Sequence, residues 1–329
     1  NVLCGDELTL YFLFDANKIC HENPPQWRHN NKIIAYEISC STGYPFDGDI
    51  FYARWPEAEL PYSISNLSEF DAFLGLFDYS IDQDDAFSWH MNFSDELLFI
   101  AYGSSLLAQD EMQVAEHPAL GAVREALIAR GVKPVTESDD GMSTPVTISG
   151  VQRRCVINTL PNANAGYPDG LYGNAFAQAT EAQVRAAVSP ISPPTLSNIL
   201  AMAAPSGGAG FYSRDQIERI LTTAYTGFIS ARKAGMSLSK KDLRTVINTG
   251  FWGCGAFGGN RQLMVIIQST AADLAEVDIK FWTPDANGLE EVRAARSSYE
   301  SLRSNCTDVS EILDFLFEQR YRWGVSDGN

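Results

Sequence analysis

The chain has 329 residues, 45% of them hydrophobic, and a formal net charge of -17 at pH 7. That is enough apolar sequence for one large core, because a single core grows to roughly 250–300 residues before chains divide. The acidic balance excludes a broad electrostatic grip on nucleic acid, which needs clustered Lys and Arg to displace counterions, so a bound phosphate must be held by local dipoles.

Residues 1–60 are rich in aromatics, Asn and Pro, and Pro24-Pro25 and Trp55-Pro56 disfavour long helices there. They are expected to form an accessory segment ahead of one main domain over 61–329. The spacing predicts a short helix over 61–77 and a strand-rich acidic stretch over 78–93. A helix is expected over 111–128, interrupted at Pro118, where Met112, Ala115, Leu120, Val123, Leu127 and Ile128 recur at helical intervals. The polar stretch 131–150, with the turn signal Asp139-Asp140-Gly141, reads as a surface loop, as does 158–173, and 189–210 reads as a Pro/Ser-rich linker. Next come a helix over 213–233 with Asp215 near its positive end, a buried strand over 243–251, a helix over 262–275 and a strand over 277–282.

The six cysteines, Cys4, Cys20, Cys40, Cys155, Cys254 and Cys306, stand singly. They have neither the paired spacing of zinc sites nor the density of a disulfide scaffold, so a reducing, cytoplasmic compartment without a bound metal is expected. No apolar run approaches the roughly 20 residues that cross a bilayer. The chain opens on Asn1 rather than Met, which leaves room for a targeting segment ahead of it.

The densest chemical signal is the run from Thr249 to Asn260, with five glycines in ten positions between an apolar strand and an amphipathic helix. Glycines let the backbone turn at positive φ and approach a ligand closely, and a following helix start offers unpaired N–H groups to an anion; a diphosphate is the natural guest. Gly253, Gly255 and Gly258 also satisfy the G-x-G-x-x-G spacing, with Asp278 about twenty residues on, so a Rossmann-type NAD oxidoreductase is a rival reading. Against it stand the late position of the unit and the bulk of Trp252 and Phe257. A glycine-rich turn with no ligand is the remaining reading.

Three motifs in one order narrow the choice. Thr249-Gly250-Phe251-Trp252-Gly253-Cys254-Gly255-Ala256-Phe257-Gly258-Gly259-Asn260 resembles the "TGNWGCGAFGGD" loop of the poly(ADP-ribose) glycohydrolases, with Phe251 for Asn and Asn260 for Asp. Ala224-Tyr225-Thr226-Gly227-Phe228 is similar to that family's "KAYCGF" helix, and Gln152-Arg153-Arg154-Cys155 to its "WQRRC". Gln109-Asp110-Glu111 stands at the place of the catalytic "QEE", followed by His117-Pro118-Ala119-Leu120 for "NPEL"; Met91-Asn92-Phe93-Ser94-Asp95 falls on "VDFAN", and Ile81-Asp82 on the pair that reads adenine. The resemblance covers roughly 78–283. It implies a three-layer α/β/α macrodomain-like mixed sheet with an N-terminal accessory segment, and hydrolysis of an ADP-ribosyl bond without a cofactor.

On that resemblance Glu111 is the catalytic acid/base, since cleavage at the anomeric carbon needs a carboxyl to protonate the leaving atom or activate water. Asp110 projects about 100° away on a helix, so the two are no facing pair of ordinary glycosidases, and Asp110 is assigned to a ribose hydroxyl with Gln109 positioning. The plainer reading of the triplet is an acidic helix start favoured by the dipole. Ile81 and Asp82 are expected at adenine, although Asp82 shares an acidic run with Asp84 and Asp85, which suits solvated surface equally well. Asn92, Phe93 and Asp95 are expected at the distal ribose. Gly253, Cys254, Gly255, Ala256, Phe257 and Gly258 are expected around the diphosphate, with Phe257 against the ribose or over the diphosphate and Trp252 in the core. Phe281 and Trp282 read as core or as a wall to the ligand. His90 and His117 lack partners at ligand spacing and are not expected to act.

Two departures bear on substrate. Phe99-Ile100-Ala101 replaces the family's three glycines, and no tyrosine lies between Gly131 and Gly150. Both point to a mono-ADP-ribosyl hydrolase, resembling bacterial and effector-type members, rather than to polymer cleavage. Asp95, where the family has Asn, suits a cationic acceptor such as arginine. The expected partners are ADP-ribose and an ADP-ribosylated protein, with no nucleic acid or membrane and a monomeric chain, in a host cytosol if the protein is a secreted effector. A reader that binds ADP-ribose without cleaving it is the alternative from another class.

Overall fold

Ile199 and Ala201 pack into one core while their strand neighbours Leu200 and Met202 pack into another, the period-two signature of a strand buried on both faces. In the computed structural model, which describes residues 9–64, 67–79, 85–239 and 243–328, that strand is the middle of one mixed sheet. The strands are β1 (Leu10–Asp15), β2 (Asp49–Arg54), β3 (Phe70–Leu74), β4 (Ala86–Ser94), β5 (Val146–Ile157), β6 (Val188–Ala203), β7 (Arg244–Thr249) and β8 (Asp278–Thr283). They lie in the order β1-β2-β5-β6-β4-β7-β8-β3. The pairs from β1 to β6 are antiparallel, and those from β6 through β4, β7 and β8 to β3 are parallel.

One face is covered by α7 (Arg214–Ser239), α8 (Arg261–Ala275), α9 (Ala286–Arg303) and α10 (Val309–Glu318). The other carries α1 (Ala16–Glu22), α2 (Asn30–Cys40), α3 (Gln109–Glu116), α4 (Ala119–Ala129), α5 (Ala175–Gln178) and α6 (Glu181–Ala187). The architecture is the expected three-layer α/β/α arrangement around a mixed sheet. No helix among the described residues is long and apolar enough to cross a membrane.

Several sequence expectations are corrected. The stretch 61–77 holds β3, not a helix: Phe70, Phe73 and Leu74 mimic helical spacing, but five residues are too few to separate the periods, and the segment pairs with the β8 edge. The stretch 131–150 is a loop only to Pro145, where β5 begins one residue later. The supposed linker 189–210 holds all but the first residue of the sixteen-residue β6. Its prolines precede the part that pairs with β4: Pro190 lies opposite Cys155 of β5, and Pro193 and Pro194 fall in the register shift between Arg153 and Cys155, where a missing N–H is tolerated. Within 1–60, β1 and β2 extend the sheet and α2 runs eleven residues.

Candidate active site

β7 is fastened at its end. Thr249 Oγ1 donates to Gln268 Oε1 of α8 over 2.5 Å, and Gln268 Nε2 donates to the Gly250 carbonyl over 3.1 Å. The loop then runs to Asn260, whose side chain accepts the Leu263 N–H and starts α8. Gly253 sits at φ 73°, and a Cβ there would lie 2.6 Å from that of Ala204, so only glycine fits the turn. Among the described residues, no backbone carbonyl accepts the N–H of Gly255, Ala256 or Phe257. The chain end borders this loop: Gly324 N–H donates to the Gly258 carbonyl over 2.8 Å, and Trp323 stacks on Tyr212 at 4.1 Å.

The Rossmann reading fails on position. The glycine loop follows the C-terminal end of β7, but Asp278 lies at the opposite, N-terminal end of β8, bonded to Arg244 and the Glu69 N–H. A ribose-binding acid belongs at the C-terminal end of its strand, in a parallel doubly wound sheet.

The loop and the start of α3 line one cavity of about 660 Å³. Phe93, Asp95, Gln109, Asp110, Glu111, Gly253, Cys254, Gly255, Ala256 and Phe257 all border it. Asn92 and Gly258 do not: Asn92 is fully buried behind Asp110, and Gly258 turns at φ 65° against the chain end. Ile81 and Asp82 lie outside the described residues. Trp282 borders the cavity and stacks on Phe73; Trp252, although fully buried, also borders it, whereas Phe281 is buried away from it.

Gln109 ties α3 to β4, accepting the Phe93 N–H at 2.7 Å and donating to the Met91 carbonyl at 2.9 Å. Tyr172 Oη accepts the Gln109 N–H at 3.1 Å. Asp110 accepts from Asn92 Nδ2 at 3.0 Å, and Glu111 closes the helix start by accepting the Ala108 N–H at 3.0 Å. Burial, then the neighbouring Glu111 charge, pushes the Asp110 carboxyl up to about 8. Burial also raises Glu111, with the Lys32 ammonium acting against it. The pair is therefore more than a solvated helix cap: both carboxyls are buried, and both border the cavity.

Farther along the cavity, Arg153 lies 4.1 Å over the Tyr79 ring and pairs with Glu116 at 2.9 Å. His117 is spent on the Gln113 carbonyl and Ser197 Oγ, and burial pushes His90 down to about 4, so both imidazoles are neutral structural groups. Tyr79 and Tyr172 were not legible as site residues, because only tertiary packing brings them beside α3, and Glu116 was passed over although it ends that helix. Among the described residues, no three His, Cys, Asp or Glu side chains gather as a metal would require.

Residues 171–291 match the family model described as poly(ADP-ribose) glycohydrolase (PARG), macro domain fold. That stretch holds β6, α7, β7, the glycine loop, α8 and β8. Over these residues the chain is similar to that family's macro domain. Asp110 and Glu111 lie ahead of the matched stretch, so only the shared cavity connects them with it. Similar solved structures include the poly(ADP-ribose) glycohydrolase of Thermomonospora curvata, at 14% identity over 87% of this chain and 85% of that one, with a TM-score of 0.39. The Deinococcus radiodurans enzyme in complex with ADP-ribose is another, at 13% identity over 90% and 98%, with a TM-score of 0.42.

Proposed function

We propose that this protein hydrolyses the glycosidic bond of an ADP-ribosyl group, releasing ADP-ribose from a singly modified protein side chain. The observation that carries this reading is the common cavity: the glycine loop, with N–H groups that no backbone carbonyl among the described residues takes, and Glu111 both border it. In this reading the loop holds the diphosphate by its dipoles, and the distal ribose turns its anomeric carbon toward Glu111. Glu111 gives a proton to the departing atom and, as carboxylate, draws one from the attacking water. Asp110, held by Asn92, receives a ribose hydroxyl, and Gln109 keeps the helix start against β4.

Single rather than polymeric substrate is supported by the wall beside the carboxyl pair. Phe99 is buried at φ 55°, a conformation a bulky residue adopts only under constraint, and it is followed by Ile100 and Ala101, whose side chains border the cavity. They fill space that three glycines would leave to a second unit. Asp95, at the same cavity, favours a cationic acceptor such as arginine.

The test is incubation with mono-ADP-ribosylated protein and, separately, with poly(ADP-ribose). Free ADP-ribose is expected from the first and little from the second. Glu111→Gln is expected to lose at least about 100-fold in rate while ADP-ribose binding changes by no more than a few-fold. Release at the wild-type rate by that variant ends the assignment, and binding without any release by the unsubstituted protein favours the non-hydrolysing reader.

A further inference from the structure

The glycine loop already has a close neighbour within the chain. Segment 324–328 runs backbone to backbone along it: Gly324 N–H donates to the Gly258 carbonyl over 2.8 Å, and Asp327 N–H to the Gly255 carbonyl over 3.5 Å. The room that two loop glycines leave is taken up by this segment. A Cβ on Gly258 would lie 3.2 Å from the Ser326 nitrogen, and one on Gly255 would lie 3.1 Å from Asp327 Oδ2, its nearest neighbours all being atoms of that carboxylate. Asp327 borders the same cavity as Gly255, Ala256 and Glu111. At the far end of the segment, the Gly328 carbonyl accepts from Asn174 Nδ2 over 2.9 Å. Asn174 stands two residues from Tyr172, whose hydroxyl accepts the Gln109 N–H. The segment therefore reaches from the glycine loop to the 158–174 loop, and both of these border the cavity.

We propose that 324–328 is an autoinhibitory strap: Asp327 sets a carboxylate against the glycine loop where the diphosphate of ADP-ribose is to lie, and the ligand binds by displacing the segment. The proposal rests on the reading of the glycine loop as the holder of the diphosphate, and not on the role of Glu111. A carboxylate and a phosphate seek the same surroundings, loop N–H groups near a helix start, and two anions repel when they crowd one place. The strap is also built to move. Ahead of it the chain is firmly held: Trp323 stacks on Tyr212 at 4.1 Å, its N–H donates to the Gly210 carbonyl over 2.9 Å, and Asn260 Nδ2 donates to the Arg322 carbonyl over 3.1 Å. Beyond Trp323 every residue to Gly328 is exposed, and a glycine stands at each end of the segment, Gly328 at φ 77°. Little buried surface is lost when such a segment lifts, so it opens locally while the sheet stays folded. A strap closed about nine-tenths of the time lowers the apparent affinity about tenfold.

The experiment is titration calorimetry of the full chain and of its Asp327→Asn variant with ADP-ribose and, separately, with inorganic pyrophosphate. Asp327→Asn keeps the shape of the side chain at an exposed position and removes its charge. It is expected to bind both ligands about five- to tenfold more tightly than the unsubstituted protein. In the unsubstituted protein, hydrogen exchange at the Gly324 and Asp327 amides is expected to quicken when ADP-ribose is added, as their bonds to Gly258 and Gly255 open. Unchanged or weaker binding of either ligand by Asp327→Asn overturns the proposal, and so does exchange that ADP-ribose leaves unchanged or slows. The two readings fail apart. Equal binding by both proteins removes the strap alone, whereas no uptake of ADP-ribose or pyrophosphate by either protein removes the diphosphate reading of the loop and the strap with it.

Discussion

Asp110 brings a carboxyl into a nearly dry place beside another carboxyl, with one amide hydrogen bond from Asn92 in return. Its carboxyl is pushed up to about 8 in the folded protein, far above its value in an unfolded chain. The folded state therefore holds a proton that the unfolded state has released. A raised carboxyl of this kind leaves stability whole below about pH 4, and stability falls as pH climbs through about 8. Asp110→Asn removes the ionisation and keeps an oxygen for Asn92. It is expected to raise stability at pH 8 by about 1–3 kcal/mol, with a melting temperature less dependent on pH between about 4 and 8 than that of the unsubstituted protein. Thermal melts across that range check it, and parallel curves for the two proteins would mean that Asp110 stays ionised in the fold. On the proposed function the same variant is also expected to lose activity, as a residue does whose unfavourable burial is kept for a place in the site.

At the scale of elements, the unit from β7 through the glycine loop to α8 depends on backbone that only glycine can follow. Gly253→Ala places a methyl against Ala204 at a positive φ, and is expected to destabilise by about 1–3 kcal/mol and to weaken ADP-ribose binding at least about tenfold. Gly43→Ala is the matched control: its φ is 75°, but nothing lies within 4 Å of the added methyl, so a loss of about 1 kcal/mol with unchanged binding is expected. Denaturant unfolding and titration calorimetry separate the two. This unit was also the most legible part of the sequence. Its helix is a run of helix-compatible residues, buried from Leu263 to Ala275, and five glycines gather between it and a short strand whose centre is Val246-Ile247. Legibility failed where local composition and tertiary setting disagree. Pro190, Pro193 and Pro194 read as linker until the register shift against β5 is seen, and Phe70 to Leu74 read as helix until β8 lies alongside. The site divides in the same way. The glycine loop and the Gln109-Asp110-Glu111 triplet stand in recognisable local patterns, whereas Tyr172, 63 positions downstream of Gln109, shows nothing local that marks it as a partner of that helix start.

Across the whole molecule, a net charge of -17 bears on the proposed ligand, which carries two phosphates. The cations at the cavity do not resolve this, because each is matched by a carboxylate: Arg153 with Glu116 at 2.9 Å, and Arg261 with Glu291 at 3.1 Å. What remains to attract a diphosphate is the set of loop N–H groups and the start of α8, whose fields act over a few ångströms. The repulsion of the whole acidic surface reaches much farther, about 30 Å at 0.01 M salt and about 10 Å at 0.1 M. Capture and approach are thus governed by forces of opposite sign and different range. Raising salt from about 10 to about 200 mM is expected to increase the association rate constant of ADP-ribose roughly two- to five-fold, with the dissociation rate nearly constant. Stopped-flow fluorescence of the cavity's Trp282 is the measurement. A rate that falls with salt would mean that an unmatched side-chain cation, not the backbone of the glycine loop, draws the phosphates in.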